Sequence, residues 1–196
     1  VIDREKLAQL VLRSGELPAY GWVPPGVADY SSQSPDYQAL SLPQRIAAAR
    51  KLYAAAGYSA AKPLRFELRY NTEEIHTELA IAIASMWQQA LGAQVTLRAE
   101  EFRSLMQEID RGDVQMFRSS WIGDYNDAYT FAQYFKSDFG VNLTHYDNPA
   151  YDDLLNRAAA EADPGKRREL LQQAEQLMLR DQPVIPIYFY VSKHLV

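Results

Sequence analysis

The densest group of residues that could bind a charged ligand lies in the run RSSWIGDYND, which begins at Arg118. Arg118 supplies a guanidinium, Asp124 supplies a carboxylate, and Trp121 lies between them. Separated opposite charges beside an aromatic wall suit a zwitterionic ligand. The same residue types also fit a buried ion pair between Arg118 and Asp124 that orders the loop. The spacing alone leaves both interpretations open.

Metal and catalytic chemistry lack local signals. His76, His145 and His194 are far apart in the chain and match no metal spacing such as H-E-x-x-H. The sequence contains no G-x-S-x-G, no P-loop and no G-x-G-x-x-G. Since there is no cysteine, disulfides, thiolate metal sites and a cysteine nucleophile are excluded. We therefore predict no metal, no cofactor and no catalytic residue.

Composition indicates an ordinary globular chain. It has 196 residues, a formal charge of -5, 47% hydrophobic and 23% charged residues, which predicts one domain, or at most two small ones, around one core. No apolar run approaches the roughly 18 to 20 residues that span a bilayer, and the mild acidity disfavours nucleic-acid binding. The chain begins without Met and ends after a strand-like run, so we expect a fragment of a longer protein.

The elements that would position the charged run form an α/β pattern between residues 63 and 121. Alternating apolar residues predict strands around Phe66 and Leu97 and from residue 114 to 121. Helical stripes predict a helix after each of the first two strands, the first opened by a capping box at Asn71. This order predicts right-handed crossovers and an α/β layer structure, in which ligands bind at strand ends.

Helix end signals are clear elsewhere. Residues 3 to 13 predict a helix, and Ser41 with Gln44 predicts a capping box for the next one. Two further packing helices are predicted, around Leu155 and after Asp163.

The remaining segments are predicted to be less regular. Residues 18 to 43 carry many prolines and predict a long connection. Residues 122 to 148 predict a loop with a short helix around residues 129 to 135. Residues 184 to 191 are nearly all apolar and predict a buried strand, which Pro186 assigns to a sheet margin.

Five stretches of the sequence resemble the oligopeptide-binding proteins of bacterial ABC importers. They are RSSWIGDYND, YNTEEIHTELAIAIASMWQQALG, PVIPIYFYVSKHLV, GELPAYGWVPPG and NLTHYDNPAYDDLL. The similarity covers essentially this whole chain, but members of the family are well over twice as long and have two lobes. The resemblance implies that residues 1–196 are the C-terminal lobe, a single-domain fragment. It also implies an α/β fold of the periplasmic-binding-protein type II kind, with a mixed β-sheet flanked by helices.

The resemblance implies a receptor rather than an enzyme. In the family an extended peptide lies between the lobes, hydrogen-bonded like an added strand, with its side chains in hydrated pockets. The lobes close about a hinge, and the protein delivers the peptide to a membrane permease. The implied partners are an oligopeptide, the permease subunits and the missing N-terminal lobe. We expect a monomer without a cofactor, periplasmic or lipid-anchored outside the cytoplasm.

The resemblance also assigns roles to charged residues. The aspartate of the family's W-x-x-D-Y-N motif holds the peptide α-ammonium and corresponds to Asp124. Partners of the peptide carboxylate correspond to Arg118 and His76. The lysine that precedes G-[DE]-L-P-A-Y in enteric members is replaced by Leu12, beside Arg13, so the preferred peptide length does not carry over.

Five further positions match peptide-contacting residues of the family. The main chain at Ser120 and Ile122 matches the stretch that pairs with the peptide backbone. Trp121, Phe102 and Tyr190 match side-chain pockets or backbone contacts. Each of these three side chains also fits ordinary core packing.

Three alternatives remain open from the sequence. The same fold could bind a dipeptide, a murein peptide, a nickel complex, haem or an opine. An enzyme could use Asp124 and His76 as an acid/base pair. A chaperone-like surface could use exposed aromatic residues between Tyr125 and Phe135.

Overall fold

The computed structural model describes residues 1–191. They form two compact units, where chain length led us to expect one core. The first comprises Val1–Pro18, Ala39–Ser120 and residues 190–191, and the second comprises Ala19–Gln38 and Trp121–Phe189. Each unit contains its own cluster of buried apolar side chains. No helix among residues 1–191 is long and apolar enough to cross a bilayer.

The first unit is built around a parallel sheet. Its elements are α1 (Arg4–Lys6), a π-helix (Leu7–Leu12), β1 (Leu17–Pro18), α2 (Leu42–Ala55), β2 (Arg65–Asn71), α3 (Glu74–Leu91), β3 (Gln94–Glu100), α4 (Phe102–Asp110) and β4 (Met116–Phe117). The sheet order is β3-β2-β4, and both pairings with β2 are parallel. The α/β class and the strand-helix-strand-helix-strand order are confirmed, and these three strands are parallel throughout rather than mixed.

Capping residues explain most of the helix bounds in this unit. Gln44 accepts a hydrogen bond from the main chain of Ser41 at 2.9 Å, so the capping box that opens α2 is confirmed. Gly92 ends α3 with φ of 73°, a left-handed conformation that glycine adopts without strain. The capping box at Asn71 is wrong, because Asn71 is the last residue of β2 and Glu73 is the N-cap of α3.

Two other predictions in this unit need correction. The N-terminal helix has its cap at Asp3, but it continues from Lys6 as a π-helix that ends at Arg13 in a left-handed conformation. The strand predicted over residues 114 to 121 is limited to β4, whose two residues are all that pair with β2. Beyond Phe117, one further main-chain hydrogen bond, from the Arg118 N–H to the Arg69 carbonyl of β2 at 2.8 Å, holds the chain to the sheet.

The second unit is a helical layer with an aromatic core. Its elements are α5 (Tyr129–Ala132), a 3₁₀ turn (Gln133–Phe135), α6 (Pro149–Ala160), α7 (Pro164–Asp181) and β5 (Tyr188–Phe189), and a further 3₁₀ turn lies at Asp36–Ala39. The short helix around residues 129 to 135 and both packing helices are confirmed. The strand predicted over residues 184 to 191 is limited to β5, and Ile185 is 42% exposed.

Glu175 of α7 organises the long connection between residues 19 and 38. One carboxylate oxygen accepts hydrogen bonds from the main-chain N–H groups of Trp22 and Val23 at 2.8 and 2.9 Å. The other accepts from the Tyr30 hydroxyl at 2.6 Å and from the Gln33 N–H at 3.0 Å. Burial raises the pKa of Glu175, and these donors partly offset that effect. The connection thus obtains from one side chain the partners that regular structure would have supplied.

Candidate ligand-binding site

The loop that carries Asp124 is anchored to α5. The Asp124 N–H donates to the Thr130 hydroxyl at 3.1 Å, and the Trp121 indole N–H donates to the Thr130 carbonyl at 3.0 Å. Thr130 is fully buried, whereas Asp124 is exposed. At Gly123, an added Cβ would lie 2.6 Å from the Phe131 ring, so the loop approaches α5 too closely for a side chain there. The carboxylate is presented outward on a fixed backbone.

A bidentate ion pair holds the far end of the same loop. Arg167 of α7 donates to both carboxylate oxygens of Asp127 at 2.8 Å. The Arg167 hydrogen bonds hold the pKa of Asp127 below its ordinary value, and Asp127 raises the pKa of Arg167. The interpretation that buries Asp124 in a loop-ordering ion pair is wrong, because Asp124 is exposed and Asp127 performs that ordering.

A cationic group lies in the first unit, where the chain leaves β4. The Arg118 N–H donates to the Arg69 carbonyl at 2.8 Å, which fixes the backbone, and the guanidinium donates to the Tyr190 hydroxyl. His76 lies in the first turn of α3, close enough for Arg118 to influence its charge. The structure therefore brings together three of the predicted residues: Arg118, His76 and Tyr190.

The surroundings of His76 favour its neutral form. The residue is 5% exposed, and burial lowers the pKa of the imidazole, as does the positive charge of Arg118. The Glu73 carboxylate, with Oε2 3.7 Å from His76 Nδ1, and the main chain of Asn71 raise the pKa in partial compensation. Because Nδ1 is buried without a hydrogen-bond partner, one polar atom of this group is unsatisfied.

The other predicted residues differ in exposure. Trp121 is half-buried, and its ring lies 5.2 Å from that of Tyr134, so it packs as a wall. Ile122 is 77% exposed and Phe102, the first residue of α4, is 60% exposed, so neither fits ordinary core packing. Ser120 is exposed.

The aromatic segment that follows is mostly internal. Tyr134 and Phe135 are buried, Tyr129 and Phe131 are half-buried, and only Tyr125 at its start is exposed. The chaperone-like surface considered from the sequence is therefore wrong.

Two residues that position the Asp124 loop were not predicted from the sequence. Thr130 bonds Asp124 and Trp121 from a helix that was predicted only as a short helix within a loop. Arg167 bonds Asp127 from a helix that the pattern had assigned to packing. Arg167, in the first turn of α7, was visible only as a basic residue near a helix N-terminus, where a cation has no favourable dipole interaction. Within residues 1–191, no group of three His, Asp or Glu side chains could hold a metal ion. His194 lies outside the described residues.

In α/β sheets, small ligands bind where the chain leaves the strands, and Arg118 lies at such a position. The model of bacterial extracellular solute-binding proteins, family 5 Middle, matches residues 1–143, and the chain belongs to that family.

Relatives share sequence over nearly the whole chain. It is 37% identical over 195 residues, covering 100% of the chain, to the periplasmic oligopeptide-binding protein OppA of Salmonella typhimurium. It is 42% identical over 188 residues, 96% of the chain, to the probable deoxycholate-binding periplasmic protein YgiS of Escherichia coli. The chain spans 36% and 35% of the lengths of these two proteins.

Solved structures agree with this assignment. Haemophilus influenzae OppA in complex with the peptide RPPGFSPFR superposes with a TM-score of 0.92 at 34% identity. The match covers 96% of this chain and 37% of that one. The periplasmic-binding-protein fold predicted from the sequence is confirmed.

Proposed function

We propose that this chain is the C-terminal lobe of an extracytoplasmic receptor that binds oligopeptides for an ABC importer. The observation that carries the proposal is the exposed carboxylate of Asp124 on a loop anchored at both ends. Because the loop backbone is already ordered, capture of an ammonium by this carboxylate requires ordering of the side chain but not of the loop. The names of the relatives support the ligand class.

In this proposal the two charged groups bind the two ends of a peptide. Asp124 pairs with the α-ammonium, while Arg118 and His76 receive the carboxylate of peptides of suitable length. The main chain at Ser120 and Ile122 pairs with the peptide backbone. Trp121, Phe102 and Tyr190 contact its side chains or backbone.

The remaining parts of the proposal concern the longer protein. A missing N-terminal lobe closes over the peptide about a hinge, and the closed form is stabilised by contacts to both lobes. The receptor acts as a monomer, in the periplasm or lipid-anchored, and delivers the peptide to the permease subunits. We propose no catalytic step and no cofactor.

We expect the isolated chain to bind short peptides more weakly than micromolar. The peptide surface that the missing lobe would cover stays in water, and the charge pairs lack the enclosure that strengthens them. Calorimetric titration with alanine peptides of two to five residues measures the dissociation constant. A micromolar or tighter value for this chain alone would contradict the expectation.

Asp124→Asn is expected to weaken binding of a free peptide by roughly 10- to 150-fold, because a hydrogen bond to a charged group contributes about 1.5 to 3 kcal/mol. N-acetylation of the peptide should cause a similar loss in the unmodified chain and little further loss in the variant. Amide-resonance titration detects both effects around residues 118 to 125.

The matched control is Asp147→Asn, which removes an equally exposed carboxylate from the same unit and should leave the response unchanged. Equal binding of free and acetylated peptides by the unmodified chain would reject ammonium capture.

A second candidate ligand is an amphipathic carboxylate such as a bile acid. It is favoured by the 42% identity to a probable deoxycholate-binding protein and by the exposed apolar side chain of Ile122, beside which a steroid face could pack. Deoxycholate has no ammonium, so Asp124→Asn should leave its binding intact and Arg118→Gln should weaken it. This pattern of losses, the reverse of that for peptides, distinguishes the two ligands.

A further inference from the structure

The unsatisfied Nδ1 of His76 is the strongest sign of a missing ligand atom in the first unit. The side chain is 6% exposed, and its nearest acidic atom, Glu73 Oε2, is 3.7 Å away, beyond hydrogen-bond distance. A buried polar nitrogen without a partner has a free-energy cost, because it has lost its hydrogen bonds to water without gaining another. A ligand that supplies an acceptor there recovers that cost, so the position favours an oxygen-bearing group.

We infer that His76 couples peptide binding to proton uptake: the imidazole is neutral in the free chain and becomes protonated when a peptide carboxylate lies against Nδ1. This inference rests on the proposed function and adds a regulation to it. Peptides whose carboxylate reaches His76 bind with about one proton, and peptides that do not reach it bind without one.

The charges around His76 give the physical reason. Arg118 follows β4 and carries one positive charge, and Glu73 before α3 carries one negative charge. The Tyr190 hydroxyl accepts from Arg118, and Glu100 at the end of β3 is paired with Arg98 and Arg69.

If the imidazole is neutral, Arg118, Glu73 and the peptide carboxylate together carry one excess negative charge. Protonation of His76 neutralises that charge and makes Nδ1 an N–H donor to the incoming carboxylate. Arg118 alone cannot do this, since it carries one positive charge against two carboxylates. The incoming carboxylate therefore raises the affinity of His76 for a proton.

The sign of the pH dependence follows from linkage. The pKa of His76 is lowered in the free chain and raised in the complex, so the added affinity is complete below the free-chain pKa. It is lost as the pH rises through the pKa of the complex. Between the two values, affinity falls by at most about tenfold per pH unit, which corresponds to one proton.

The test follows the histidine ring resonances of the chain by NMR from pH 5 to 8, alone and with alanine peptides of two to five residues. Each peptide is compared with its C-terminal amide. His76 should titrate below its ordinary value in the free chain, and one or more free-carboxylate peptides should raise its midpoint. The amides should bind through Asp124 without changing it.

One variant of His76 and one control variant test whether the pH dependence comes from this residue. His76→Gln should keep ammonium-dependent binding and lose the pH dependence of affinity. His145→Asn, at an exposed position with φ of 51° that asparagine tolerates, should change neither.

The outcomes separate the two proposals. If free peptides shift the resonances of residues 121 to 124 but leave the His76 midpoint unchanged, proton coupling is rejected and peptide binding stands. If no peptide shifts either group, both proposals fall. Since the midpoint is measured in the unmodified chain, a variant that fails to fold does not affect the test.

Discussion

Replacing Glu175 with alanine is expected to lower the free energy of unfolding by about 3 to 5 kcal/mol. The change removes the carboxylate that accepts from the N–H groups of Trp22, Val23 and Gln33. It also removes the nearer acceptor of the Tyr30 hydroxyl, which otherwise reaches the Leu171 carbonyl at 3.4 Å. Each donor left unsatisfied in a buried site costs about 1 to 3 kcal/mol, and water can reach some of them. Urea denaturation followed by circular dichroism measures the loss.

Glu175→Gln tests whether acceptor number matters more than volume. Both carboxylate oxygens accept two hydrogen bonds each, so the amide NH₂ of glutamine would face at least one main-chain N–H donor wherever it is placed. We expect this nearly isosteric change to cost about 2 to 3 kcal/mol. A glutamine variant as stable as the unmodified chain would show that the four donors have other partners.

The matched control is Glu169→Gln. It lies on the same helix, is exposed, and should change stability by less than about 0.5 kcal/mol.

The connection between residues 19 and 38 is also constrained at Gly21. A Cβ at Gly21 would lie 2.0 Å from the Gln33 carbonyl oxygen, so the segment returns on itself too closely for any other residue.

Elements whose signals are local were predicted well from the sequence. The stripe from Ile75 to Leu91 and the glycine that follows it gave α3 its C-terminal bound, and Ser41 with Gln44 gave α2 its start. The alternation through Phe66 and Leu68 gave β2, whose apolar side chains pack against α3. In each of these cases the residues that determine the element lie within it or next to it.

Elements that depend on distant partners were not predicted correctly. Residues 114 to 121 have strand-like composition, but only two of them find a neighbour on β2, so apolar character alone did not produce a strand. Asn71 has the composition of a cap, yet its main chain is needed by the ladder between β2 and β3, and its side chain bonds Glu73 instead. The sheet pairing prevailed over the local cap.

The candidate site also combines local signals with distant partners. The charged side chains of Asp124 and Arg118 could be identified in the sequence, and the resemblance supplied their roles, which remain predictions. What presents Asp124 is the hydroxyl of Thr130 together with the Asp127–Arg167 pair, 40 residues apart in the chain. No spacing rule links those partners, because only the packing of α5 and α7 brings them to the loop.

Phe135→Ala is expected to lower the free energy of unfolding by about 3 to 5 kcal/mol, the range for removal of a buried aromatic ring. The ring is 0% exposed, and its centroid lies 4.8 Å from that of Trp22 and 5.1 Å from that of Tyr134. Tyr146 and Tyr151 meet it edge-on at 6.4 and 6.5 Å. Such pairs contribute beyond their buried area, so leucine should recover only part of the loss. Urea denaturation of the alanine and leucine variants measures both.

The same variant should also loosen the wall of the candidate site, because the Trp121 ring packs on Tyr134, which packs on Phe135. We expect the near-ultraviolet circular dichroism of Phe135→Ala to weaken while the protein is still folded. Phe102→Ala, which removes a ring that is 60% exposed, is the control and should change stability by less than about 0.5 kcal/mol. If both alanine variants lost equal stability, burial would not explain the effect. If Phe135→Ala kept its full aromatic signal, the ring would not support Trp121.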